Sequence, residues 1–203
     1  MTRSAAPAFA ALLAGLCLAA PVRAAVQAEA EHRLTAAEIR DIARADKLWC
    51  DGYDAATGDC EQVTLIQILP DGRLTQTTAL TLAEEPLLQA YFGEVDGFNG
   101  DRICNLIDTN EMPMGFTLEG APVPEPEASK LRSALLETLA DLAGKRVCQS
   151  FFRGADPNRI REEITVDGKR RTDLESVYQL RDGAEGFALR APRSDDKDSG
   201  VRI

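Results

Sequence analysis

Four cysteines stand behind an export-type leader, and that combination constrains the chain more than any other feature. Met1–Ala24 opens on Arg3, runs apolar from Ala5 to Ala20 and leaves through Val22-Arg23-Ala24. This is the three-part pattern of a cleavable secretory signal. The apolar run is interrupted by Pro7 and falls short of the roughly 20 residues a spanning helix needs, so no transmembrane anchor is expected. Cys17 lies inside the leader behind Leu16, where a lipid-attachment signal would place a small residue, and it leaves with the leader. Cys50, Cys60, Cys104 and Cys148 remain, and the expected destination is the periplasm or the extracellular space, where thiols oxidise.

Four cysteines allow three pairings. Cys50 and Cys60 flank the turn-rich stretch Asp51–Asp59, so the economical arrangement joins Cys50 to Cys60 and Cys104 to Cys148. A zinc site is the competing use. It is disfavoured because no C-x-x-C occurs and the single histidine, His32, lies far from the later cysteines.

The chain beyond the leader is long enough to bury a core as one domain, residues 25–190, with a charged tail at 191–203 of disordered composition. Loss of Arg3 and Arg23 takes the formal charge from −10 to −12. Such a balance repels nucleic acid and anionic membrane surfaces.

Along the chain, Ala25–Arg33 reads as a loose leader. Thr35 and Glu38 form a T-x-x-E capping box, with Leu34 and Ile39 placed to staple across it, so a helix starts there and fades near Asp46. Lys47–Cys50 and Gln62–Leu69 read as strands, and Pro70–Arg73 as a turn into a partner strand at Leu74–Leu82. Leu87–Val95 and Arg102–Asp108 suggest a second hairpin around a loop at Asp96–Asp101. Thr109–Glu125 is irregular and proline-bearing. Pro126 opens a second helix and Gly144 closes it, with Leu131, Leu135, Leu139 and Leu142 on one face. Lys145–Arg153, Arg159–Val166 and Thr172–Leu180 read as strands, with Gly186–Arg190 as a candidate edge strand.

The fold class predicted is α+β: an antiparallel sheet of about seven to nine strands with two main helices. The order helix, K-x-x-C strand, D-G turn, strand occurs twice, from Cys50 and Asp71 and again from Cys148 and Asp167. Two α-β-β-β units would share one sheet and pack both helices on one face. In outline this layout resembles secreted inhibitor proteins built from tandem helix-plus-sheet units; the resemblance is topological and carries no site residues.

Histidine-based catalysis finds little support, since His32 sits in the loose leader. Walker, G-x-G-x-x-G and G-x-S-x-G motifs do not occur. Glu84 with Glu85, or Asp108 with Glu111, could divide acid and base roles, but in so acidic a chain such neighbours read as solvated surface. The loops Asp51–Glu61 and Asp96–Asp101 have oxygen-rich compositions without the EF-hand spacing, and no metal or cofactor is expected. Candidate binding residues are the apolar cluster Met112, Met114 and Phe116 and the basic hairpin tip Lys169-Arg170-Arg171. Trp49 is expected in the core against the Cys50 disulfide, and Tyr53 at the loop surface.

The leading reading is a monomeric, non-enzymatic envelope module that binds a protein or other envelope component. The runner-up is a carrier or sensor of a small apolar ligand held under Thr109–Glu125, which requires a cavity of several hundred cubic ångströms. A carboxylate- or metal-dependent hydrolase is third, and would bring together acids such as Asp96, Asp101, Asp108 and Glu111.

Overall fold

The computed structural model describes residues 31–109 and 112–191. The leader and the tail beyond Ala191 lie outside the described residues. In chain order the elements are β1 (His32–Arg33), α1 (Ala36–Arg44), β2 (Lys47–Asp51), β3 (Gln62–Ile68), β4 (Leu74–Glu84), β5 (Leu87–Asn99), β6 (Arg102–Leu106) and β7 (Met114–Leu118). They continue with β8 (Ala121–Pro122), α2 (Glu127–Thr138), β9 (Arg146–Arg153), β10 (Arg159–Val166), β11 (Lys169–Arg170) and β12 (Val177–Asp182).

The antiparallel sheet closes on itself. β2, β3, β4 and β5 pair in sequence, β6 bridges β5 to β9, and β9, β10 and β12 lead back to β2, making an eight-strand barrel. The antiparallel strands and two helices match the sequence reading, but the described residues form twelve strands where about seven to nine were expected, the sheet is closed, and the helices do not share one face. Closure depends on joints that no local pattern announces: Cys104 opposite Cys148, and Leu180 opposite Trp49.

Period-two alternation then divides inside from outside. Trp49, Ile66, Leu74, Ile103, Phe151, Ile160 and Leu180 point inward and form one core with Leu34, Ile39 and Ile42. Helix α1 thus plugs one end of the barrel. Its start agrees with the sequence: Thr35 accepts from the Glu38 amide, Glu38 reaches back to the Thr35 amide, and Leu34 and Ile39 are both fully buried. Helix α2 covers the opposite end, where Ala128 and Leu135 pack on Leu80, Ala90 and Phe116.

Both expected disulfides are present. Cys50–Cys60 lies on the outer face of β2 in a cluster with Leu48 and Val63. Trp49, one residue away, therefore points into the barrel and meets the edges of Phe151 and Tyr178, at centroid distances of 4.9 and 5.6 Å, instead of the disulfide. Tyr53 is half-buried and accepts a 2.6 Å hydrogen bond from Arg181.

Several boundaries differ from the sequence reading. His32–Arg33 pairs with β9, so the end of the supposed loose leader is ordered. Strand β5 runs through to Asn99, placing Asp96 inside a strand and leaving only Gly100-Asp101 for the turn. The irregular stretch after Thr109 contains the β7–β8 hairpin. Asp167 and Gly168 both adopt positive φ, as a two-residue hairpin turn requires, so β11 begins at Lys169 and β12 only at Val177. The Gly186–Arg190 segment contributes a single parallel bridge, Leu189 to Cys60, and no strand.

Candidate functional site

An eight-strand barrel is just wide enough for side chains to fill it or to hold one small ligand. At the α1 end the inward residues are large. Toward α2 the inward positions of β3, β4 and the segment before β12 are Thr64, Thr78 and Ser176, and these short side chains leave a cavity of about 360 Å³. Its lining divides by chemistry. Phe92, Ile107, Met112, Met114, Leu135 and Leu139 form an apolar roof, while Asp51, Gln62, Gln76, Glu94, Gln149, Glu162 and Tyr178 form a polar floor.

The floor acids arrive on inward phases otherwise held by apolar residues. On β10 the inward series is Ile160, Glu162, Ile164, Val166; on β5 it is Phe92, Glu94, Asp96, Phe98; on β2, Asp51 comes two positions after Trp49. Each acid is met by donors. Tyr178 donates to Glu162 Oε2 at 3.0 Å, Ser176 and the Gly52 amide donate to the two oxygens of Asp51 at 2.9 Å, and Asn105 donates to Glu94 at 3.3 Å. Asp96 lies beneath the floor and accepts from Gln76 Nε2 at 2.7 Å, an amide group that also donates to Gln149 at 2.8 Å. Glu162 Oε1 is buried and completes no hydrogen bond, although the Gln149 amide is near enough to temper its proton affinity.

Burial without a counter-charge raises the proton affinity of these groups. Glu162, 1% exposed, is pushed up to about 8 by burial, with the Asp51 charge adding to it. Glu94 is pushed up to about 7 by burial and then by its neighbour Asp96, though it keeps some surface open to the cavity. Asp51 and Asp96 are raised by burial, and burial likewise holds the Tyr178 phenol well above its ordinary value. Arg171 is the only cation among the described lining residues. It sits at the rim, tied to Asp141 at 3.0 Å and Asp173 at 2.6 Å.

The wall beside Glu94 is thin. β5 pairs with β7 up to Phe92 and with β6 only from Gly97, so its middle lacks a strand partner on that edge. A groove of about 500 Å³ runs outside this gap, and Glu94 and Met112 border both the groove and the cavity.

Of the residues singled out in the sequence, Met112 and Met114 line the roof and Phe116 is buried under α2. Arg171 reaches the rim; Arg170 pairs with Glu175 and Glu163; Lys169 is exposed on β11. The basic tip is thus largely neutralised by acids. Asp96, Asp101, Asp108 and Glu111 do not converge: Asp96 is buried, Asp101 is exposed and caps the Ala36 amide, Asp108 is exposed, and Glu111 lies outside the described residues. Glu84 and Glu85 are exposed. Among the described residues no group of three or more potential ligands is arranged to hold a metal, and no helix is long and apolar enough to cross a membrane.

The site that does form was missed because its acids are 111 residues apart between Asp51 and Glu162. The available signal was acids on the buried phase of otherwise apolar strands. The chain matches no protein-family profile, no curated protein and no solved structure.

Proposed function

We propose that this chain is a non-enzymatic carrier or sensor of a small amphiphilic molecule, working outside the cytosol after export. The observation that carries this reading is the 360 Å³ cavity with an apolar roof and a polar floor, inside a barrel stapled by two disulfides. Ligand pockets of this size commonly combine apolar walls with a few fixed polar groups. The ligand's apolar body would lie against Met114, Leu135 and Leu139, and its polar end would face Glu162 and Tyr178. The methionines, unbranched and polarizable, suit a roof that must adapt to an incoming shape.

This reading is preferred to an envelope interaction module because the methionine cluster faces the cavity and both arginines of the basic tip are paired with acids. Its test is titration of the leaderless, oxidised protein with Nile red, a neutral apolar dye. Saturable one-to-one fluorescence enhancement is expected, and Leu139→Trp, which enlarges a half-buried roof residue, should abolish it while leaving the circular dichroism spectrum unchanged. Absence of saturable binding, or binding indifferent to Leu139→Trp, would refute the cavity as a ligand site.

A further inference from the structure

The floor of the cavity is built for positive charge. Asp51, Glu94 and Glu162 line it from three strands, and Asp96 lies behind Gln76. The polar neighbours act as donors toward these acids: Tyr178, Ser176, the Gly52 amide, Asn105 and Gln76 all direct N–H or O–H groups at carboxyl oxygens. Acids held this way are placed as acceptors, the role of the ionised form.

What the floor lacks is a cation. The rim guanidinium of Arg171 is already committed to Asp141 and Asp173. One acceptor is also left over, since Glu162 lines the cavity and its Oε1, shielded from solvent and close to the Gln149 amide, completes no hydrogen bond. A buried carboxyl oxygen without a donor is costly unless something supplies one.

We propose that the natural ligand is a protonated amine with an apolar body, its ammonium N–H groups donating to Glu162 Oε1 and its charge shared among Glu162, Asp51 and Glu94. This rests on the cavity's being a ligand site, as proposed for its function, and adds the ligand's charge. A quaternary ammonium fits less well, because it brings charge without the missing donor. An anionic headgroup would meet three acids and no free cation.

The same groups impose proton linkage. Facing Glu162 are Asp51 from β2, Tyr178 from β12 and, more weakly, Glu175 from the segment before it; facing Glu94 is Asp96 from its own strand. Histidine and lysine are absent from the described lining. In the empty cavity near neutral pH, Glu162 keeps its proton, and an arriving ammonium must displace it to solvent. Uptake of the cation therefore releases a proton, and affinity rises with pH.

The test compares three probes of equal length, octylammonium, octanol and octanoate, by calorimetry on the leaderless, oxidised protein at pH 6 and pH 8. Octylammonium is expected to bind at least tenfold more tightly than octanol at pH 8, with octanoate weakest. Its affinity should fall severalfold at pH 6 while that of octanol stays constant, and buffers of different ionisation enthalpy should reveal proton release. Glu162→Gln should remove the preference for the amine over octanol. Octanol binding as tightly as octylammonium, or an amine preference that survives Glu162→Gln, would overturn the charge assignment and leave the cavity reading intact. Failure of all three probes to bind would overturn both.

Discussion

Replacing Cys104 and Cys148 together by alanine should cost this protein more stability than replacing Cys50 and Cys60 together. The two residues are directly opposed on β6 and β9, with Cα atoms 4.1 Å apart, at the joint that closes the barrel. The neighbouring joint is weak, since β6 holds β5 through only three residue pairs from Gly97 to Asn99. The chain between the cysteines, a separation of 44, contains β7, β8 and α2, and with them every roof residue of the cavity named above except Phe92. Chain entropy puts the stabilisation from closing such a loop at about 4 kcal/mol, against about 2.7 kcal/mol for Cys50–Cys60 with its separation of 10. Urea unfolding monitored by Trp49 fluorescence suits the measurement, because the single tryptophan is buried between Phe151 and Tyr178. With a slope of roughly 2 kcal/mol per molar urea, the midpoint should drop by about 2 M for Cys104→Ala/Cys148→Ala and by clearly less for Cys50→Ala/Cys60→Ala. The reverse order would show that the roof excursion is not tethered at this seam.

Two further predictions concern ionisation and capping. A Glu162 carboxyl that holds its proton up to about 8 when folded, against 4.5 when unfolded, contributes nothing to pH dependence below 4.5, and then progressively destabilises the fold as pH rises through that window. At 1.36 kcal/mol per unit the loss reaches roughly 5 kcal/mol. Glu162→Gln should therefore match the wild type in urea midpoint at pH 4.5 and exceed it at pH 8; equal midpoints at both values would contradict the burial argument. Thr35→Ala should lower stability by about 1 kcal/mol through loss of the α1 cap. The Glu38 carboxyl, held down at about 2 chiefly by the Thr35 amide and then by its hydroxyl, should titrate closer to 4.5 by NMR in that variant, and an unmoved titration would separate it from the cap.

What could be read in the sequence was local. The T-x-x-E box fixed the start of α1 because cap and staple act within five residues. Pro70-Asp71-Gly72 fixed the β3–β4 turn, and the tight loop between Cys50 and Cys60 suggested their pairing. Asp96-Gly97, by contrast, has the chemistry of a turn but lies in a strand, where Asp96 faces inward on the phase of Phe92 and Phe98. Closure stayed hidden because β2 pairs with β12 across some 130 residues, and a strand's alternation records that it has an inside without recording which strands share it. Glu162 shows the same gap: its place in Ile160–Val166 marks it as inward, yet only the closed barrel puts Asp51 beside it and Glu94 on the same cavity.

The floor acids also bear on why this barrel is hollow. Replacing buried charged groups by apolar residues of similar volume is commonly neutral or stabilising. Leucine at 162 and phenylalanine or isoleucine at 94 would extend the inward apolar series of β10 and β5 and help fill the space that Thr64, Thr78 and Ser176 leave open. Instead the chain buries carboxyls with raised proton affinity and leaves Glu162 Oε1 without a donor. Stability alone gives no reason for that choice, whereas a ligand that supplies the missing charge and donor does. The two arguments meet in one variant: Glu162→Gln should be the more stable protein at pH 8 and the poorer binder of an amine. A substitution that improved both, or damaged both, would break the link between the unfilled barrel and its acidic floor.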